Sequence, residues 1–412
     1  GKTEIVREFA MRRPAGGHAG ASVKCSRFTP SQPYSVVRNI VLELVRELST
    51  SAERNADLYR DIVTTRLAEH AGVVCRIIPE MRSFFTEVGE PHEVDRAREA
   101  DRVIHVLSLL VETLSQIRPL AVFIDDFQWV DHSSFEVIRR VLSRIPETRC
   151  LLILSYRSRK SRNLHVHGCD LRELEHLKLV GVRRFRKREV VDLVSSRFSL
   201  GSDNELLAET LLERTDGTPM AIAEACRFLV TSSVVRQGKD GWFFSPECLD
   251  QLPDSFDPLD LILKRVKVLN DKERLFLEVA SLIQGGFEPA AVQTVAGFEE
   301  HETSVMCGRL QDLGFLVRSL GGRYAFCHDR LQEAVWGGVP ADRKSEQYEA
   351  LGDYYSRRSV DDREKLFTAA ECQLKGKNLG KSVEACWNAA QYALEKAAFD
   401  LAIPYYQHAQ FM

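Results

Sequence analysis

The apolar positions change period along the chain, and each change marks an element. Leu120-Ala121-Val122-Phe123-Ile124 is continuously apolar and ends in Asp125-Asp126. Bounded by Pro119 and by the polar turn Asp131–Ser134, such a run predicts a buried strand. Leu151 to Arg157 predicts a second strand, and Ala21-Ser22-Val23-Lys24-Cys25 a shorter one. Residues 34 to 118 are mostly helical in period, with a break near Gly89 to Pro91, and a further helix is expected over Phe135 to Ser143. Strands alternating with helices predict a parallel α/β sheet. Leu177 to Val180 is expected to be its last strand, and Glu4 to Phe9 a helix leaving Gly1-Lys2-Thr3.

The second half reads differently. Helices dominate to about Leu229, and Val235 to Phe244, turning at Gly238 and Gly241, predicts a small hairpin. Asn270 with Glu273 three residues on is a capping-box pattern opening an amphipathic helix with Leu275, Phe276, Val279 and Ile283 as its apolar positions. Phe315 to Arg318, then Gly321-Gly322, then Arg323 to Phe326 predict a second hairpin. Helices ending in a hairpin suggest a winged-helix domain. From Ser345 the period is helical throughout, with Ala385, Ala389, Ala390, Ala393, Ala397 and Ala398 closely spaced, the pattern of helix pairs that open a solenoid. The expected organisation is therefore an α/β domain over 1–168, a helical lid with a hairpin over 169–254, a winged helix over 255–342 and a helical, tetratricopeptide-like segment over 343–412.

Composition sharpens this only in part. A chain of 412 residues, 44% hydrophobic, is long enough for three or four domains. A net charge of −3 carries no global pull toward nucleic acid or membrane. Ten cysteines lack paired spacing, and several sit in apolar runs, which favours a reducing, cytoplasmic setting. No apolar stretch is long enough for a membrane span.

The candidate chemistry lies in two places. A phosphate-binding loop needs inward backbone N–H groups, a lysine for the β/γ-phosphate charge and a hydroxyl for Mg²⁺. Gly1-Lys2-Thr3 reads as the end of such a loop, with Lys2 and Thr3 supplying the last two. Its first glycine and the preceding strand are expected upstream of Gly1. The chain as given is thus expected to bind ATP poorly, and a form extended upstream to bind it. Burying Asp125 and Asp126 at a strand end is costly unless the charges meet a metal or donors. In an ATPase of this layout Asp125 holds Mg²⁺ through water and Asp126 polarises the attacking water. Otherwise the pair caps the next turn. Gln128, Trp129 and Asp131 read as structural. Arg157, ending the neighbouring strand, would lie beside Asp125 and sense a γ-phosphate, or pair with Asp126 or solvent.

The ordered set of motifs resembles the STAND-class P-loop ATPases, the origin-recognition-like AAA modules of large signalling kinases and transcriptional regulators. Gly1-Lys2-Thr3, the run Phe123 to Asp131 and Leu152 to Arg157 carry the resemblance. Arg27-Phe28 with Pro33-Tyr34-Ser35 is similar to the family's segment after the second strand. Thr215 to Pro219 resembles its Gly-x-Pro signature, which implies that Pro219 packs on adenine. Phe326 to Arg330, with Gln332 and Ala334, resembles its winged-helix signature, which implies that His328 reaches an ADP phosphate and holds a closed state. The resemblance spans nearly the whole chain and implies an ATP/ADP-driven, Mg²⁺-dependent regulatory switch. Its C-terminal helices would bind protein partners or relay the change to a fused output domain. From the residues alone, Gly217-Thr218-Pro219 is also a helix stop and restart, and His328 a satisfied histidine at a hairpin end.

Two other function classes stay in view. One is a nucleotide-binding or degenerate scaffold without turnover. The other is a DNA-binding regulator reading through a helix at about Glu302 to Leu313, where Arg309 is the only basic residue beside Glu302 and Asp312. His165, His167 and Cys169 are too few for a zinc site. The basic cluster Arg183 to Arg188 reads as a solvated face.

Overall fold

The computed structural model describes residues 2–11, 17–25, 32–50, 56–89, 95–144, 148–157, 164–174, 176–201, 203–238, 241–245, 247, 258–283, 285–318 and 322–411. Gly1, Arg27, Phe28, Cys248 and Gly321 lie outside them. The chain divides into two compact units. One holds Lys2–Leu179 with the residues from Ala341 onward; the other holds Val180–Pro340.

The first unit is built on a three-stranded parallel sheet, β1 (Ala19–Lys24), β2 (Leu120–Asp125) and β3 (Cys150–Leu154), with β2 in the middle. Lys24 pairs with Asp125 and Ile124 with Leu154, so the carboxyl ends of all three strands lie side by side. Parallel neighbours require crossovers. The helices between residues 35 and 117 make the first, and the His132–Ser143 helix makes the second. β2 is almost wholly buried, which explains why its sequence is apolar without alternation. Val37, Ile40, Val41 and Leu44 of one helix and Val103, Val106, Leu107 and Leu110 of another join its core. The Lys2–Met11 helix starts at the carboxyl edge of the sheet. An apolar cavity of about 300 Å³ separates its Val6 and Phe9 from Ala21, Ala121, Phe123 and Ile153.

The expected last strand is absent: residues 177–180 are irregular, and Leu179 and Val180 are 60% and 77% exposed. Apolar, β-branched composition favours a strand only where a neighbour supplies the ladder, and these residues pair with none of the three strands. The strand expected over Leu151–Arg157 also stops early, at Leu154. Beyond it Ser155 N–H donates to Ile124 O at 2.9 Å and Phe127 N–H to Ser155 O at 2.8 Å, so the ladder turns into the site.

Four helices close the first unit: Ala341–Arg358, Lys365–Lys375, Leu379–Glu395 and Phe399–Phe411. Ala370, Ala385, Ala389, Ala390 and Ala393 form their close-packed core. Gly352 lies so near the Gln373 side chain that a Cβ there would meet it at 2.4 Å. These helices dock on the α/β part through charges. Arg38 pairs with both Glu80 and Glu364. Lys396 Nζ donates to Arg76 O at 2.5 Å and to Ile77 O at 3.4 Å, the terminal carbonyls of the Ala71–Ile77 helix.

The second unit is mostly helical. Helices Lys187–Phe198, Asp203–Thr215 and Pro219–Thr231 pack with the Val235–Gly238/Gly241–Phe244 hairpin. Helices Asp271–Leu282, Pro289–Ala296 and Glu300–Asp312 precede the Leu316–Arg318/Tyr324–Phe326 hairpin. The capping box forms as expected: Glu273 N–H donates to Asn270 Oδ1 at 2.9 Å and Asn270 N–H to Glu273 Oε2 at 3.0 Å.

Candidate nucleotide site

The carboxyl ends of β2 and β3 meet the start of the Lys2–Met11 helix, the end of a parallel sheet where ligands bind. Thr3 Oγ1 donates to Asp125 Oδ2 at 2.7 Å. Asp125 Oδ1 accepts from Ser155 Oγ and, at 3.1 Å, from Asp126 N–H. Both oxygens of this buried carboxylate are therefore engaged, as burial of a charge requires.

Asp126 lies in the left-handed region, φ 54°, ψ 44°. That conformation costs a non-glycine residue about 1 kcal/mol, least for Asp and Asn. It is held open by its surroundings. Asp126 N–H donates to Ser155 Oγ at 2.9 Å, and Trp129 N–H donates to Asp126 O at 2.9 Å. The turn swings the Asp126 carboxylate, 4% exposed, toward the end of β3. There Arg157 takes it with two donors: Nε to Oδ1 at 2.8 Å and Nη2 to Oδ2 at 3.1 Å. Gln128 Nε2 adds a third bond, to Oδ1 at 3.2 Å. Of the expected places for Arg157, the structure shows the pairing with Asp126, because the left-handed turn carries that carboxylate across to it.

Lys2 is half-buried, and its Nζ donates to Tyr156 O at 2.7 Å. Burial pushes its ammonium below the usual lysine range, opposed by Asp126 and Asp125 and reinforced by Arg157. Two cations and two carboxylates share the pocket, so each charge has a counter-charge within reach.

The hard oxygens of Thr3 and Asp125 are close enough to share one cation, and Mg²⁺ binds through such ligands with water completing its shell. The donor set fits Mg²⁺, whose role there would be to neutralise phosphate charge. Among the described residues no group of three or more His, Cys, Asp or Glu side chains gathers as a metal site. His167 instead bonds through Nε2 to Val130 O at 2.7 Å.

Asp131 has a structural place. Its Oδ1 caps the His132–Ser143 helix by accepting from Ser134 N–H at 2.8 Å and also accepts from Tyr34 N–H at 3.0 Å. Burial pushes its carboxyl above the usual range, against these hydrogen bonds. Ser155 and Gln128 are site residues that motif reading left without a role. A small hydroxyl at a strand's carboxyl end is the sequence signal that marks a residue such as Ser155.

Pro219 and His328 belong to the second unit, whereas Lys2, Thr3, Asp125, Asp126 and Arg157 belong to the first. Pro219 is the first residue of its helix. Before it, Gly217 at φ +65° lets Phe185 N–H donate to Gly217 O at 2.9 Å, and a Cβ there would meet Phe185 O at 2.3 Å. His328 is the N-cap residue of the Asp329–Gly338 helix. In the same unit Arg309 pairs with Glu273 at 2.6 Å and Glu302 with Lys272 at 2.5 Å, which occupies the one cation a DNA-reading helix would offer. Arg183, Arg184 and Lys187 are likewise paired, with Glu189, Asp216 and Glu205/Glu209.

The AAA ATPase domain family matches residues 1–154. No curated protein sequence matches the chain. Among solved structures, a Signal Transduction ATPase with Numerous Domains (STAND) protein with a tetratricopeptide repeat sensor, from Pyrococcus horikoshii, aligns at a TM-score of 0.47 and 14% identity. The alignment covers 100% of this chain and 57% of that one. The chain thus spans little more than half the length of that protein. A Walker-type ATPase of Pyrococcus abyssi aligns at a TM-score of 0.29 and 14% identity, over 81% of this chain and 87% of its own. The RuvB Holliday junction branch migration motor of Thermotoga maritima aligns at 0.22 and 15%, over 68% and 95%. The described residues contain no helix long and apolar enough to cross a membrane. The match to the AAA ATPase domain family thus covers residues 1–154, the part of the chain that holds Lys2, Thr3, Asp125 and Asp126.

Proposed function

We propose that this chain is an ATP-binding and ATP-hydrolysing switch module of a multidomain signalling protein. The observation that carries the proposal is the 2.7 Å bond from Thr3 Oγ1 to Asp125 Oδ2. It joins the phosphate-loop hydroxyl to the strand-end carboxylate, the two oxygens that share Mg²⁺ in this class of site. Lys2 supplies positive charge for the β- and γ-phosphates. Asp126 polarises the attacking water, and Arg157 trades its ion pair for the γ-phosphate. The motif resemblance adds Pro219 as an adenine contact and His328 as an ADP-phosphate contact.

The domain plan fits this reading: an ATPase domain over 1–168, a lid over 169–254, a winged helix over 255–342 and a tetratricopeptide-like segment over 343–412. The C-terminal helices, docked through Arg38 and Lys396, are the route to protein partners or to an output domain. The paired state of Arg309 argues against nucleic acid as a partner. The free cysteines among the described residues suit a cytoplasmic setting.

ATP binding and turnover by the full-length protein, beside Lys2→Ala and Asp126→Asn, test the proposal. Binding lost in the first and turnover lost in the second are expected. No binding by the unaltered protein would leave a relic site and a scaffold function.

A further inference from the structure

One peptide group at the site is held at both ends. The Tyr156 carbonyl accepts from Lys2 Nζ at 2.7 Å. The N–H of the same peptide unit, on Arg157, donates to Gln128 Oε1 at 3.1 Å. The other end of the Gln128 amide donates from Nε2 to Asp126 Oδ1 at 3.2 Å. A continuous line therefore runs from the Lys2 ammonium through one peptide and one side-chain amide to the Asp126 carboxylate. Every donor along it points the same way. Hydrogen bonds aligned in series polarise one another, and this series has a cation at its head and an anion at its tail.

We propose that Gln128 is a positioning residue that couples Lys2 to Asp126 through the Tyr156–Arg157 peptide. The inference rests on the ATPase reading above. Gln128 is the only member of the line that is neither charged nor backbone. An amide carries its acceptor and its donors on opposite atoms of one plane, so one bond cannot turn away without disturbing the other. A Lys2 drawn toward nucleotide phosphates loosens its hold on the Tyr156 carbonyl. The peptide that Lys2 releases is the one Gln128 reads. Arg157 follows from the same peptide, since its backbone is the donor and its guanidinium grips Asp126 on both oxygens. Its side chain is 56% exposed, against 4% for Asp126, so the guanidinium is the partner of that pair that faces solvent. Gln128 then keeps the Asp126 carboxylate oriented while Arg157 leaves it. Arginine pairing alone would leave a buried carboxylate with no donor at that moment, a costly state.

The test compares the full-length protein with Gln128→Leu and Gln128→Glu. Leucine removes both bonds. Glutamate keeps an acceptor for Arg157 N–H and sets a second carboxylate against Asp126. Three quantities are read: equilibrium binding of Mg²⁺–ATP, kcat with KM, and the melting temperature of the nucleotide-free protein. Gln128→Leu should lower kcat about ten-fold, the effect of one hydrogen bond to a charged group. ATP affinity and KM should stay within about two-fold, and the melting temperature within a few degrees. Gln128→Glu should lose at least as much kcat as Gln128→Leu. Unchanged kcat in either variant overturns the coupling. So does a loss of affinity and melting temperature in proportion to kcat, which is what a packing role gives. An unaltered protein that fails to bind Mg²⁺–ATP overturns the ATPase reading, and the coupling with it. Binding in the unaltered protein with indifferent variants overturns the coupling alone.

Discussion

Replacing Asp131 with alanine tests whether the residue six positions after Asp125 is scaffold or machinery. One oxygen, Oδ1, serves two backbone donors: Ser134 N–H at 2.8 Å and Tyr34 N–H at 3.0 Å. Loss of the helix cap costs about 1 kcal/mol. The Tyr34 N–H is buried and would be left without this acceptor, for about 1–3 kcal/mol more. The expected total is about 2–4 kcal/mol. Asp131→Asn keeps the Oδ1 acceptor and sheds a charge that burial disfavours, but puts an amide donor where Oδ2 accepts from Ser35 Oγ at 3.4 Å, so it should cost about 1–2 kcal/mol, less than alanine. Denaturant unfolding of the three proteins separates these values. With both variants folded and saturated with ATP, kcat should match the unaltered protein, because Asp131 faces Tyr34 and the helix rather than the Thr3–Asp125 pair. The reasoning is refuted if asparagine destabilises as much as alanine, or if asparagine abolishes turnover while remaining folded. Either result would mean that the charge matters.

Further outcomes follow from the same structure. Burial lowers Lys396 to about 8, below its usual value, opposed by Glu364 and Glu80 and reinforced by Arg38 and Arg76. The unfolded chain then holds the proton that the folded chain has lost between about pH 8 and 10.5, so stability from this residue rises with pH across that window and is flat below it. Relative to Lys396→Met, the unaltered protein should gain about 2–3 kcal/mol between pH 7 and pH 10 in matched unfolding curves; a constant difference would contradict the burial argument. Gly217→Ala should destabilise by at least about 1–2 kcal/mol, from its left-handed φ and the contact with Phe185 O, and a melting temperature equal to the unaltered protein would show that the Phe185–Gly217 approach is not needed. Ser155→Ala should weaken the Mg²⁺ dependence of nucleotide binding several-fold by removing the hydroxyl that orients Asp125 Oδ1, whereas Ser155→Thr, which keeps the hydroxyl, should restore it.

The residues themselves determined the strands, the helices and the ingredients of the site. The continuous apolar run over 120–124 is satisfied by burial on both faces, whereas the similar run over 151–154 forms a strand with Leu151 half exposed; Asn270 with Glu273 builds its own cap from local contacts. Lys2, Thr3, Asp125 and Asp126 stand out in the sequence as candidates because phosphate and Mg²⁺ chemistry needs those groups in that order, and the structure brings Thr3 to Asp125. Tertiary structure decided the rest. Leu177 to Val180 has strand composition but no neighbour to supply a ladder, and no local pattern announces a missing partner. Arg157 and Asp126 meet because Ser155, 29 residues from Asp126, holds a left-handed turn that the sequence does not mark. Gln128 gained its place only when the ends of β2 and β3 came together, because its two bonds reach Asp126 on one side and a peptide from another strand on the other. Periodicity reports which face a residue buries; it carries no information about which distant polar atom completes its hydrogen bonds, and at this site those distant atoms orient the charges.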